Sequence, residues 1–199
     1  MIDASHHPLR NVVLIVAALN LAYFGIEFSV ARAIGSVALF ADSVDFLEDT
    51  AVNLLVALAL GWSLARRARV GMALAALLLV PGLATLWTAW AKFNAPLPPE
   101  PFALTVTGAG ALLVNLSCAF LLARVRSQGG SLTKAAFLSA RNDALANVAI
   151  IAAGLVTVAT SSGWADLIVG LGIAVLNADA AKEVWEPARE EHRAAEIPP

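Results

Sequence analysis

Long runs of apolar residues dominate the chain. The uncharged runs 70–91, 101–123 and 144–165 are each long enough for a transmembrane helix, which needs about 20 mostly apolar residues. The last run contains a Ser-Ser-Gly break at 161–163, where one helix can end and another begin. Three more spans follow once a few charges are admitted. We therefore predict six helices, near residues 11–32, 37–63, 69–92, 102–125, 134–160 and 164–182.

The composition indicates that lipid surrounds these helices. Of the 199 residues 59% are hydrophobic and 14% are charged, whereas soluble domains carry about 25% charged residues. The prediction is an all-α membrane protein, with residues 1–182 forming a six-helix transmembrane domain and 183–199 a short cytoplasmic tail. The net charge of −2 and the lack of a polybasic run make nucleic acid an unexpected partner.

The positive charges between the helices predict the orientation. Arg66, Arg67 and Arg69 lie in the second loop, and Arg124, Arg126 and Lys134 flank the fourth loop. Because cytoplasmic loops carry the excess of Lys and Arg, both termini are predicted to be cytoplasmic. We expect a multi-pass protein of the cell (inner) membrane.

The second predicted helix contains four acids, which is unusual for a membrane span. A charge at the bilayer centre costs about 2.5–3.5 kcal/mol even on the insertion scale, so Asp42, Asp45, Glu48 and Asp49 need cations, protons or water. At 100° per residue, all but Glu48 share one stripe of the helix, with Glu48 at its border. Such intramembrane acids are functional by default, although a structural pairing with Arg141 is the alternative.

The fifth predicted helix supplies a second polar face, with Ser139, Asp143 and Asn147 at i, i+4 and i+8. We predict a metal site of Asp45, Asp49 and Asp143, with Ser139 as a direct or water-mediated ligand. Ser139 is alternatively a small helix-packing residue, and Asn147 an interhelical hydrogen-bonding residue.

Oxygen ligands of this kind suit hard divalent ions and can also hold Zn²⁺ or Fe²⁺. The transported ion is therefore expected to be divalent, with Zn, Mn, Fe and Co all open, and no prosthetic group is expected. Clustered carboxylates in a low dielectric should take up protons when the metal leaves. Protons, the divalent ion and the lipid bilayer are thus the expected partners.

The first helix carries Asn20 and Glu27 on one face, seven residues apart. Glu27 falls near the outer helix end. We expect it to be interfacial or to line an exit vestibule.

Helices two and five resemble those of the cation diffusion facilitator family. The family pattern Gly-Ser-x-Ala-Leu-x-Ala-Asp matches residues 35–42 and is followed by Asp45 and Asp49. Asp143 is similar to the Asp of the family's His-x-x-x-Asp motif, and Trp164-Ala165-Asp166 to the start of its sixth helix. The resemblance implies a six-helix exporter of divalent metals, usually against protons, with its metal on Asp45, Asp49 and Asp143.

The chain departs from the family pattern at two points. Ser139 stands where the family usually has His or Asp, which weakens the fourth ligand and favours harder ions. The family's usual cytoplasmic domain after the sixth helix is also missing from the sequence, so a homodimer is left open. Arg141 is unexpected, and it either pairs with an acid such as Glu48 or holds the site shut.

Two other functions compete with export. A degenerate, non-transporting relative that binds metal or a partner is the alternative, supported by Ser139 and Arg141. An intramembrane aspartyl protease would also use two buried Asp, but its Gly-x-Gly-Asp signature is absent, since Ile173 follows the only Gly-x-Gly of the sixth helix. The chain is therefore not expected to be an enzyme.

Overall fold

The computed structural model describes residues 7–59, 69, 83–94, 96–125 and 130–176, and these are helical apart from short turns. The prediction of an all-helical fold is confirmed. The proposed tail 183–199 lies outside the described residues. The six helices found within the described part of the chain are α1 (His7–Ile34), α2 (Val37–Ala59), α3 (83–93), α4 (Pro101–Val125), α5 (Gly130–Thr160) and α6 (Trp164–Leu176).

Length and composition qualify three of the described helices to cross a membrane, over Leu9–Ile34, Pro101–Val125 and Ala140–Thr160. Their outer surfaces are apolar: Phe102 is 75% exposed and Leu113 is 67% exposed. Polar side chains lie inside instead. This arrangement is opposite to that of a soluble bundle and suits lipid as the surrounding solvent.

The interior consists of a polar layer between two apolar clusters. α1 packs on α2 and α4, and α5 packs on α4 and α2. One cluster gathers Val13, Val56 and Leu122, and the other gathers Leu39, Leu104 and Ile150. Since α1, α2, α4 and α5 each contribute to both clusters, the residues between them along each helix form a layer near mid-bundle.

The turn between α1 and α2 is closely determined by its residues. Gly35 has φ +67°, in the left-handed region that glycine enters without steric cost. The N–H of Ser36 then bonds the carbonyl of Ala31 at 3.0 Å, a hydrogen bond that ends α1 in a Schellman motif. The Lys92 ammonium, at the end of α3, donates to the Gly35 carbonyl.

The first N–H groups of α2 are capped partly by a side chain from α6. Ser36 accepts from the N–H of Leu39 at 3.0 Å, as an N-cap serine does. Asp166 accepts from the N–H groups of Val37 at 2.8 Å and Ala38 at 3.2 Å, and also from the Ser36 hydroxyl. A buried carboxylate at a helix N-terminus is favoured by both the N–H donors and the helix dipole. Asp166 therefore joins the start of α6 to the start of α2.

Three turns lie together at this end of the bundle. Gly163, in the turn before α6, approaches the backbone carbonyls of Pro96 and Leu97. The rings of Phe93 and Trp164 stack edge to face with centroids 5.6 Å apart. We call this end the outer end, because the charge pattern of the sequence predicts it to be external.

Replacing Asp166 with Asn is expected to lower the free energy of unfolding by about 1–2 kcal/mol, because one acceptor and the capping charge are lost while the shape is kept. Thermal unfolding in detergent would measure the change. Glu100→Gln is the matched control, since Glu100 caps α4 through the N–H groups of Phe102 and Ala103 at an exposed position. Equal stability of the Asp166 and Glu100 variants would contradict a special role for the link between helices.

Candidate functional site

The middle layer of the bundle is built from buried polar residues of four helices. Each side chain is at most 7% exposed. The residues are Asn20 and Glu27 of α1, Asp42, Asp49 and Asn53 of α2, Asn115 of α4 and Asn147 of α5. Because a buried polar group without partners is costly, the contacts among these residues indicate what the layer can bind.

Asp45 and Asp143 are brought together across the contact between α2 and α5. Both are half-buried, and Asp45 lies within electrostatic range of Asp143. All the charged neighbours of Asp45 among the described residues are acids, since the others are Asp42, Glu48 and Asp49. Asp45 is therefore in a strongly negative environment, one that favours a cation.

Asp49, one turn further along α2, is oriented by α1. The Asn20 amide donates to Asp49 Oδ2 at 3.4 Å, and the Cys118 thiol of α4 donates to Asn20 Oδ1 at 3.5 Å. Asn20 thus connects three helices and holds one predicted metal ligand in place. We call Asp45, Asp49 and Asp143 the carboxylate cluster.

The side chain of Ser139, the remaining predicted ligand, lies outside the described residues. Within the residues that are described, no group of three or more His, Cys, Asp or Glu side chains has the arrangement of a metal site. The assignment of Asp45, Asp49, Asp143 and Ser139 as ligands thus stays a prediction.

Among the described residues, Arg141 does not form the predicted ion pair with an acid such as Glu48. Its side chain is exposed, and its guanidinium donates to the neighbouring Asn142 at 3.4 Å. In the described part of the chain, the charged neighbour of Glu48 is Asp49. In the described residues Arg141 therefore neither neutralises Glu48 nor covers the carboxylate cluster.

A second group of polar residues lies on the outer side of the cluster. Glu27 and Asp42 are both fully buried, and their carboxyl groups are within hydrogen-bonding reach of each other. The Asn147 amide donates to Asp42 Oδ2, and the Asn115 amide donates to Asn147 Oδ1 at 2.9 Å. A connected line of side chains thus crosses the bundle from α4 through α5 and α2 to α1.

The expectation that Glu27 is interfacial was wrong, since it is 0% exposed. Glu27 faces α2 because α1 packs along α2. Sequence reasoning also missed Asn115, whose only signal was an isolated amide within an apolar span. Asn147, by contrast, forms the interhelical hydrogen bonds expected of it.

A comparison with known protein families identifies the family of the chain. The cation efflux transmembrane domain matches residues 13–188 of the chain. The chain belongs to the cation efflux family. This cation efflux protein is therefore an integral, multi-pass membrane protein that transports cations, as the resemblance of α2 and α5 implied. No curated protein matches it in sequence.

Proposed function

We propose that this cation efflux protein exports a divalent metal ion from the cytoplasm in exchange for protons. The metal binds between α2 and α5 on Asp45, Asp49 and Asp143, with Ser139 or water completing the coordination. The observation that carries the proposal is the position of Asp45, whose charged neighbours in the described chain are all acids, including Asp143 on the facing helix.

The charge of the cluster supports a divalent ion as cargo. Three carboxylates offer up to six oxygen atoms, and hard divalent cations prefer such ligands. Cys118 has Asp49 and Asp143 as charged neighbours, but its thiol donates to Asn20 Oδ1 and it is not one of the proposed ligands. Zn²⁺, Mn²⁺, Fe²⁺ and Co²⁺ are the candidates, and the oxygen-only set favours Mn²⁺ among them.

Exchange for protons follows from the same electrostatics. When the metal leaves, the carboxylates repel one another in a low dielectric, and protons relieve that repulsion. Metal and protons therefore compete for the same oxygen atoms, and metal binding weakens as the pH falls. A proton gradient directed into the cytoplasm can thus drive the metal outward.

Transport in proteoliposomes tests this function. Mn²⁺, Zn²⁺, Fe²⁺ and Co²⁺ are supplied outside vesicles whose lumen is more acidic or more alkaline than the bath. Metal uptake is expected to be faster with the acidic lumen, because protons leaving the lumen drive metal inward. The alkaline lumen is expected to slow it.

Two results would count against the proposal. Metal flux that ignores the imposed proton gradient would exclude exchange and leave a uniporter. A protein that binds Mn²⁺ but moves none of the four ions would favour the non-transporting alternative. Empty liposomes and liposomes with the Glu100→Gln variant provide the baseline and the control.

A further inference from the structure

Glu27 and Asp42 form a carboxyl pair that the proposed metal site does not use. Helices rise about 1.5 Å per residue, so both residues lie roughly 11 Å from the Gly35 turn, whereas Asp49 lies roughly 20 Å from it. The pair is therefore on the outer side of the carboxylate cluster. It belongs to α1 and α2, while the cluster spans α2 and α5.

Among the described residues, neither carboxyl group has a cationic partner. In the described part of the chain, no Lys, Arg or His side chain pairs with Glu27 or Asp42. The titratable groups that face them are Tyr23 of α1 with Asp45 and Asp49 of α2, and all of these are acids. The helix α5 contributes only the Asn147 amide, and the Asn115 amide of α4 reaches the pair through it.

Among the described residues, three of the four oxygens of the pair lack a hydrogen-bond donor. Both Glu27 oxygens and Asp42 Oδ1 are buried and receive no N–H or O–H from the described residues. The nearby Tyr23 hydroxyl donates to the Thr107 carbonyl at 2.6 Å and so is not available. Two ionised carboxylates are acceptors only and cannot bond to each other. One proton between them makes a short, charge-assisted O–H···O⁻ hydrogen bond.

The asymmetry of the contacts indicates which residue holds the proton. Asp42 Oδ2 accepts from the Asn147 amide, a hydrogen bond that favours the ionised form of Asp42. Glu27 has no such donor in the described chain. The proton therefore resides mainly on Glu27, which donates it to Asp42.

We propose that Glu27 and Asp42 form a proton-binding site, distinct from the carboxylate cluster, in which Glu27 carries a proton that is exchanged for metal. The exchange part rests on the proposed function, whereas the shared proton does not. Glu27 takes one proton from the outer side and releases the same proton toward the cytoplasm, to water or to a vacated carboxylate of the cluster, so protons are conserved. One divalent ion leaving for this one proton carries a net charge of +1 outward, and a second proton carried by the cluster would make the exchange electroneutral.

Infrared spectroscopy of the purified protein tests the shared proton directly. A protonated carboxylic acid has a carbonyl stretch that a carboxylate lacks. Saturating Mn²⁺ displaces protons from the cluster, and one component of the carbonyl band that remains at neutral pH is expected to come from Glu27. It is expected to disappear in Glu27→Gln, whose amide can still donate to Asp42 and so keep the fold.

Two further variants support the assignment. Asp42→Asn is expected to lose the band as well, because the introduced amide can donate to an ionised Glu27. This variant replaces Glu27→Gln in the test if Glu27→Gln does not fold. Glu100→Gln, an exposed acid of the loop before α4, is the matched control and is expected to keep the band. A band unchanged in both Glu27→Gln and Asp42→Asn would overturn the proposal.

A transport measurement separates this proposal from the proposed function. In liposomes with a luminal pH dye, Glu27→Gln is expected to bind Mn²⁺ like the wild type but to lose metal-coupled proton movement. Wild-type protein that moves no metal would refute the proposed function, and the infrared band would still decide the proton site. Unchanged proton movement in Glu27→Gln would refute the exchange role of Glu27.

Discussion

Replacing Asp45 with asparagine is expected to abolish metal transport, with a fall of at least ~100-fold, since even residues behind the ligands typically contribute 10–100-fold. The substituted amide keeps the shape of the side chain but removes a charge that lies within electrostatic range of Asp143. Flux of Mn²⁺ and Zn²⁺ into proteoliposomes measures the loss, and equilibrium binding of Mn²⁺ locates it at the binding step.

The same variant is expected to fold at least as well as the wild type. The described charged neighbours of Asp45 are all acids, so the substitution relieves repulsion. Active sites commonly trade stability for function in this way. Lost transport with an unchanged or raised unfolding temperature is therefore the specific signature. Asp45→Asn that transports metal at the wild-type rate would show that Asp45 is structural. Glu100→Gln, with the same change of charge at an exposed position, should transport normally.

Replacing Gly170 with alanine is expected to lower the free energy of unfolding by about 3 kcal/mol or more. This is at least the largest cost that is typical for inserting extra atoms into a packed core. A Cβ at Gly170 would lie 2.7 Å from the carbonyl carbon of Val37 and 2.8 Å from the nitrogen of Ala38. Both are backbone atoms of the first turn of α2 and cannot rotate away. The helix α6 would have to move outward, which would also break the Asp166 contacts. Thermal unfolding in detergent measures the effect.

Gly172 provides the control within the same helix. A Cβ at Gly172 would have nothing within 4 Å, and alanine is about 1 kcal/mol better than glycine in a helix interior. Gly172→Ala is therefore expected to be neutral or stabilising. If both glycine variants lowered the unfolding temperature equally, the close approach of α6 to α2 would not be the cause.

The chemistry of the site was largely visible in the sequence. Acids are so costly in hydrocarbon that Asp42, Asp45 and Asp49 stand out in any apolar span. Their spacing along a helix places them on one face without further information. The family resemblance of α2 and α5 was correct for the same reason, because it depends on local motifs.

The partners of these acids were not visible. Periodicity shows which residues share a helix face but does not show which neighbouring helix that face meets. Glu27 was therefore expected at the interface and proved to lie against Asp42 in the interior. Asp166 was noted only as part of a motif, and its capping of α2 depends on how α6 packs.

By itself, the sequence determined that this chain is a helical membrane protein with acids in its second and fifth helices. Lipid offers no hydrogen bonds to the backbone, so apolar runs of this length must be helical, whatever packs around them. Only the tertiary structure decided that Asp45 lies within electrostatic range of Asp143 on α5, and that Glu27 lies within hydrogen-bonding reach of Asp42. Which acids lie close together depends on how each helix is rotated about its axis and on which helices are in contact. Many side chains along the whole chain determine that packing together.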